Sequence, residues 1–466
     1  MDRIEEFKRK DGKTFPGKVF SEALLKPVFD TQRTYLFKAM MAVHEAHTIM
    51  LTEQGILQNS EATQILQALK TIRDMRKEEF DYTPAYEDLF FLVETKIGEL
   101  IGDDLAGNMH IAKSRNDMGE AMYRIVIREH LQDTIRLTRE LANTLLIQAE
   151  RHVETIMPAH THTQPAQPTT FGHYLVAVYD GVLRDSERLE RALKIVNQSP
   201  MGAAAITTTG FPINRERVME LLDFEGMIEN SYDAIGAGDY LLETAQSLIS
   251  LMTTIGRWVQ DLLRMASKEV GLLRVSDAYV QISSIMPQKR NPVSLEHSRA
   301  LASSAAAEGL AVIHMIHNTP YGDINDTEDD LQPHLYNGFE KCNRVLKLLN
   351  AVIMTMEFDK PRALQQAREN MITITELADV LARDFNLPFR QAHTKAALIA
   401  KNTITQQAEL YQIPLEQVNN WLEDIHLTEE HWQAITDPLV FIARRNITGG
   451  PNFDTVRAMI EKRRDG

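Results

Sequence analysis

The sequence holds one cysteine, Cys342, among 466 residues. A single thiol makes no intramolecular disulfide and no cysteine-rich zinc site, and it fits a reducing compartment. No stretch reaches the roughly 18 uninterrupted apolar residues of a membrane span. Residues 1–18 are charged throughout and lack the apolar centre of a signal peptide. Positive charge is in deficit as well: 50 basic against 65 acidic residues give a formal net charge of −15. Such a surface repels phosphate backbones and anionic membranes. A cytoplasmic protein without nucleic-acid or membrane partners is therefore expected. An acidic chain that handled an acidic metabolite would have to gather positive charge locally. Phosphate-binding glycine loops are missing, neither GxxxxGK[ST] nor GxGxxG after a strand being present. His44-Glu45-Ala46-His47 lacks HExxH spacing and reads as ordinary helix surface.

Glycine (22) and proline (17) are sparse and clustered, and aromatic residues make up only 7%, which suits long helices. From Met118 to about Glu154 there is no proline and only Gly119, while Met122, Ile125, Leu131, Ile135, Leu141 and Leu145 keep helical spacing. Similar runs cover 167–197, about 229–271, 291–317 and about 338–357. Five helices of this length predict an all-α chain built on an elongated central bundle. At about 150 residues per domain the length suggests about three domains. Punctuation places them at 1–112, mostly helical; 113–359, the long-helix bundle; and 360–466, a small helical domain. Gly202 to Gly210 is the one stretch that hints at a small hairpin.

Three polar segments stand at helix starts. Ser114-Arg115-Asn116-Asp117 reads as an N-cap and its capping partner, yet a pure cap does not need Lys113, Arg115 and Asn116. Thr161-His162-Thr163-Gln164 precedes prolines that would open the second long helix, and a histidine held there suits a positioned proton carrier. Ser283-Ser284-Ile285-Met286-Pro287-Gln288-Lys289-Arg290-Asn291-Pro292 places two serines, a lysine and an asparagine before a helix, with Asn291 as N-cap and Pro292 first in the helix. A helix of about 35 residues is on the order of 50 Å long. The first two segments would then lie at opposite ends of it. A shared site would require several subunits of a symmetric oligomer.

These segments resemble the fumarase/aspartase superfamily, and within it argininosuccinate lyase. The resemblance also takes in Glu87-Asp88, Phe171-Gly172-His173, Ser199 to Gly202, Phe211-Pro212-Ile213, Pro320-Tyr321 and Gly449-Gly450-Pro451. It implies a homotetramer on a twenty-helix core, each site drawing on three subunits, with no metal or organic cofactor. The implied reaction eliminates an amine from an N-substituted aspartate (an N-succinyl amine), releasing fumarate. Ser283 would be the base, with Lys289 and Asn291 holding the aci-carboxylate. His162, oriented by Glu296, would assist proton transfer or substrate placement. Ser114, Arg115, Asn116 and Thr161 would grip carboxylates, and Asp88, Gln164, Ser284, Met286 and Tyr321 complete the implied substrate contacts.

Departures concern the amine end. Ile282 stands where argininosuccinate lyases usually carry glycine, Val293 where they are acidic, Met118 where glutamine is common, and Phe90 where histidine follows Glu-Asp. Beyond Tyr321 the family's glutamine and lysine fall on Asp326 and Asp329. Asp323, Asp326, Glu328, Asp329 and Asp330 read as a solvated acidic loop, or as a cation-seeking rim for an amine other than arginine, as in an aminopolycarboxylate such as ethylenediamine-disuccinate. Two further readings stay open: a catalytically silent, crystallin-like homologue and an adenylosuccinate lyase-type activity.

Overall fold

Five long helices carry the computed structural model, which describes residues 2–464. They are α1 (Arg115–Arg151), α2 (Phe171–Val196), α3 (Asp239–Ala266), α4 (Val293–Ile316) and α5 (Gln332–Thr355). At 1.5 Å per residue the 37 residues of α1 extend about 55 Å.

Three starts differ most from the sequence reading. The second long helix begins at Phe171, because Gln164–Thr170 is a strand paired antiparallel with Ile156–Thr161. Its prolines fit there: Pro158 faces Pro168 across the ladder. In an antiparallel pair, alternate positions donate no ladder hydrogen bond, so proline costs none there. The third begins at Asp239 because Asn230 caps a separate short helix, Ser231–Gly236, its Oδ1 accepting from the Tyr232 amide at 2.9 Å. The fifth begins at Gln332, where Pro333 sits in the first turn and its missing N–H would be unpaired anyway.

The hairpin anticipated at Gly202 to Gly210 is not a strand pair but a run of turns. The backbone amides of Gly202 and Ala204 donate to Asp117 Oδ2 at 2.9 and 3.0 Å, so they are not free for a ladder. Gly202 has φ +81°, and a Cβ there would lie 2.6 Å from Arg215 Cγ, so only glycine fits.

Contact density groups the chain into two compact units. One comprises Met1–Arg136, Asp185–Thr253 and Ala302–Asn343; the other comprises Leu137–Arg184, Thr254–Leu301 and Arg344–Gly466. The divisions fall inside the five long helices, whereas the 1–112, 113–359 and 360–466 segmentation follows element length.

In the first unit Arg124 of α1 is buried. It donates to the Ile195 carbonyl of α2 at 3.0 Å and lies 3.9 Å over the Tyr240 ring of α3. A Cβ on Gly309 of α4 would stand 2.7 Å from Ile249 Cγ1 and 3.0 Å from the Ala245 carbonyl, so glycine permits the close approach to α3. Glu308 of α4 accepts from Lys341 and His334 of α5 at 2.5 and 2.6 Å. In the second unit Gln148 of α1 donates to the Met354 carbonyl of α5 at 3.0 Å, and Tyr174 of α2 donates to Asp261 of α3 at 3.0 Å. Its carboxy-terminal helices bury Leu377, Leu381, Ile399, Leu422 and Ile435 in one apolar cluster. Beside that cluster Glu376, 1% exposed, accepts from Arg444 at 2.8 Å, Arg383 at 3.2 Å and Arg445. Burial works against its ionisation, but the arginine hydrogen bonds prevail and hold the carboxyl below its ordinary range. Among the described residues no helix is long and apolar enough to cross a membrane.

Candidate active site

The first unit carries Ser114 to Asp117 at the start of α1, and the capping pattern forms as the spacing predicts. The Ser114 amide donates to Asp117 Oδ1 at 3.0 Å, and the Asn116 amide donates to Ser114 Oγ at 3.3 Å. Asp117 also binds the Gly202 and Ala204 amides, so it ties the turn run to the helix start. Burial raises its pKa to about 6 despite these amide donors. Asn116 Nδ2 reaches the Ala205 carbonyl at 3.3 Å. Arg115 pairs with Asp88 Oδ2 at 3.0 Å and Glu87 Oε1 at 3.4 Å. Asp88 in turn caps the helix Leu89–Ile101, accepting from the Phe91 amide at 3.0 Å.

Behind this segment lies a buried titratable group that the sequence reading misplaced. His44 and His47 are 0% and 1% exposed, not helix surface. Burial, and then the Lys113 charge, lowers both, His47 to about 3. Neutral His44 accepts from Lys113 Nζ at Nδ1 over 2.9 Å, and His47 Nε2 donates to the Ile111 carbonyl at 2.8 Å. Burial lowers Lys113 itself to about 8. Lys113 is thus bonded into the interior rather than presented to a ligand.

Asp88, Arg115 and Asn116 line a cavity of about 320 Å³ together with Asp323, Glu328, Asp329 and Asp330. The acidic run is therefore not merely a solvated loop, although Asp326 is exposed and does not line the cavity. Asp329 accepts from Gln32 Nε2 at 3.1 Å. Glu120 and Tyr123, which the sequence reading missed, line it too. Their signal was spacing: Asn116, Glu120 and Tyr123 fall at i, i+4 and i+7 on one helix face. Gln32 left no such signal. Tyr321 lies outside the cavity lining, 59% exposed, donating to Asp233 Oδ1 at 2.5 Å and stacked on Tyr232.

The second unit carries the other two segments. Thr161 and Gln164 close the hairpin as paired residues, and His162 and Thr163 form its two-residue tip with φ 49° and 64°. Two positive φ values are what a tight hairpin turn matching strand twist requires. His162 is exposed there, and Arg264 Nη2 holds the Thr163 carbonyl at 3.0 Å. Glu296 lies exposed on the first turn of α4. Among the described residues no hydrogen bond or ion pair joins His162 to Glu296.

Ser283 to Lys289 form the loop of a second hairpin, Gln281–Ile282 against Arg290–Asn291. Asn291 is thus paired with Gln281 and is not the N-cap; α4 starts at Val293, and the Pro292 carbonyl accepts from the Leu295 and Glu296 amides at 3.0 and 3.2 Å. Ser283 Oγ accepts from the Ile285 amide at 3.3 Å and the Met286 amide at 3.0 Å. Ser284 and Met286 are exposed, and Ile285 is 85% exposed. Arg290 is occupied by Asp277 and, at 3.2 Å, by the Val275 carbonyl. Of the four cations Lys113, Arg115, Lys289 and Arg290, only Lys289 has no side-chain partner among the described residues.

A lyase family model matches residues 24–306, and a model of the argininosuccinate lyase carboxy-terminal region matches 371–443. Argininosuccinate lyase 2 of Agrobacterium fabrum is 41% identical over 456 residues, 97% of this chain and 90% of that protein. Argininosuccinate lyase of Methanosphaera stadtmanae is 35% identical over 432 residues, 92% of each. A solved EDDS lyase variant with bound fumarate superposes with a TM-score of 0.85 at 27% identity, covering 99% of this chain and 92% of that one. The chain belongs to the argininosuccinate lyase family of the fumarase/aspartase superfamily, and so to the carbon–nitrogen lyases that release fumarate.

Proposed function

We propose that the chain eliminates the amine from an N-substituted aspartate of the argininosuccinate or aminopolycarboxylate type. A base removes the proton from the carbon beside the distal carboxylate, and that electron pair becomes the new double bond. The C–N pair leaves with nitrogen, which takes a proton, and fumarate and the amine result. Ser283 is the base in this reading. The observation that carries it is the Ser283 Oγ accepting two backbone amides in the loop that enters α4. Donors aimed at an oxygen favour its anionic form, and the partial positive charge of a helix start acts in the same direction.

Lys289 and Asn291 hold the aci-carboxylate, whose added charge forms only in the transition state, where fixed donors have most effect. His162 returns the proton to nitrogen with Glu296 as its partner. Ser114, Arg115, Asn116 and Thr161 take the carboxylates, with Asp88, Gln164, Ser284, Met286 and Tyr321 around them. The 37-residue α1 separates the Ser114 and Thr161 segments along the chain. This supports a homotetramer whose sites combine segments of different subunits.

The class is tested by following fumarate absorbance with argininosuccinate, ethylenediamine-disuccinate and N-succinyl diamines. At least one releases fumarate, and silence on all of them sinks the assignment. The shared site has its own test. Arg115→Ala and Ser283→Ala chains are each expected to be nearly inactive. Unfolded together and refolded as mixed oligomers, they regain activity, because some sites draw both intact segments. No regain places both residues in a site built from one chain.

A further inference from the structure

Tyr321, one of the proposed substrate contacts, is held by three neighbours within the first unit. Its hydroxyl donates to Asp233 Oδ1 at 2.5 Å, in the short range of an O–H donor on a carboxylate. The Tyr232 ring runs parallel to its own, at a centroid distance of 6.2 Å and an angle of 3°. The third neighbour acts by its lack of a side chain. A Cβ on Gly236 would stand 2.9 Å from Tyr321 Cδ1 and 3.0 Å from Cε1, so glycine lets the ring pack against the backbone there.

Tyr232, Asp233 and Gly236 all belong to the short helix Ser231–Gly236. That helix is itself anchored: its Ala234 and Ile235 are buried with Ala203 in one apolar cluster. Ala203 lies between Gly202 and Ala204, whose amides Asp117 binds at the start of α1. The frame that holds Tyr321 is therefore tied to the Ser114 to Asp117 segment. Tyr321 is nonetheless 59% exposed, so its own unit holds the phenol without covering it.

A phenol has one hydrogen to donate, and its oxygen can also accept. In Tyr321 that hydrogen is committed to Asp233. The Asp233 hydrogen bond, and then burial, pushes the Tyr321 pKa up to about 12, so the phenol keeps its proton near neutral pH. What the oxygen has left is acceptor capacity. A carboxylate brings only acceptors, whereas an ammonium or guanidinium group brings N–H donors.

We propose that Asp233 is a positioning residue for the lyase reaction: it fixes Tyr321 as an acceptor for an N–H of the leaving amine, not as a donor to the succinyl carboxylates. The inference rests on the lyase reading, which puts Tyr321 against the substrate without choosing an end. Neither residue moves the reacting proton in this assignment, so their effect falls on binding.

The test is a double-mutant cycle on fumarate release, run with whichever of the substrates above the wild type turns over fastest. Tyr321→Phe removes the acceptor and is expected to lower kcat/KM about tenfold, mainly through KM, the size of one hydrogen bond to a charged group. Asp233→Ala leaves the phenol unheld and gives a loss of similar size. The double variant is expected to be no worse than Tyr321→Phe alone, because Asp233 acts only through the phenol. Asp233→Asn keeps an acceptor for the hydroxyl and restores most of the activity. Losses that multiply in the double variant overturn the positioning role, and a general structural defect would give that pattern.

Product inhibition decides which end Tyr321 meets. In the Tyr321→Phe chain the inhibition constant of the released amine (arginine from argininosuccinate, ethylenediamine from its monosuccinate) is expected to rise about tenfold, while that of fumarate stays within about twofold. The reverse pattern puts Tyr321 on the succinyl end and overturns the inference while leaving the lyase reading intact. No change in either constant overturns it as well. A wild-type chain that releases fumarate from none of the substrates rejects the lyase reading, and this inference with it.

Discussion

Fumarate release by a Ser283→Ala chain is expected to fall by about 10³-fold, within the range that a positioned general base contributes. The loss should appear in kcat, because the serine acts on the proton in flight and adds little to ground-state binding. Folding should be unaffected. Ser283 accepts two amide hydrogen bonds of 3.3 and 3.0 Å on an exposed loop, where water replaces them. The measurement is the initial rate by fumarate absorbance beside a melting curve of the same preparation. A variant that keeps a tenth of the wild-type rate removes Ser283 from the role and turns attention to Ser284. A catalytically silent homologue would show no difference between the two chains, since neither would release fumarate. Lys289→Met provides a companion readout, because removing the one cation in this loop without a partner weakens stabilisation of the aci-carboxylate rather than proton removal.

Glu376→Gln is expected to cost about 3 kcal/mol of stability, the lower part of the range for breaking a buried ion pair. The carboxylate is 1% exposed, but Arg445, Arg444 and Arg383 are 22%, 31% and 50% exposed, so water compensates part of what they lose. A neutral amide keeps one acceptor and turns its NH₂ toward guanidinium donors. The expected fall in melting temperature is on the order of 6 °C, with fumarate release at 25 °C unchanged, since Glu376 lies outside the proposed machinery. The pH dependence has a definite sign. The folded carboxyl has a pKa below its unfolded value. Its contribution is therefore complete above the ordinary glutamate range and disappears as pH falls through the lower folded value. The gap between wild type and Glu376→Gln should be constant from pH 6 to 8 and shrink on acidification below about 4.5. A gap that widens toward acid would show that Glu376 is not held as an anion.

The polar segments were legible where local chemistry alone set the geometry. The Ser114 amide reaches Asp117 Oδ1, and Ser114 Oγ caps the Asn116 amide, because these partners are two and three residues apart and need no third element. The long helices were legible because apolar spacing persists over many turns, although their starts were not. Pro165 and Pro168 suggested a helix entrance and instead occupy a hairpin, since proline tolerates both a first turn and the non-bonded positions of a two-stranded ladder. Asn291 suggested a cap and was taken by a strand partner ten residues earlier.

Charge was the least legible property. Lys113, Arg115, Lys289 and Arg290 all stand near helix starts in the sequence, yet Lys113 is bonded to His44, Arg115 to Asp88 and Arg290 to Asp277. The acidic run could not be placed from its own residues, because what makes it a cavity wall is Glu120 and Gln32, far away in sequence.

The order of residues by itself determined the helical class, the family and the serine-bearing loop, because helical periodicity and short motifs are local along the chain. Only the tertiary structure decided which charges are free to act. Whether a carboxylate or lysine meets solvent, a ligand or an interior partner depends on burial and on contacts between distant segments. Electrostatic interaction changes manyfold with that environment while the residue stays the same.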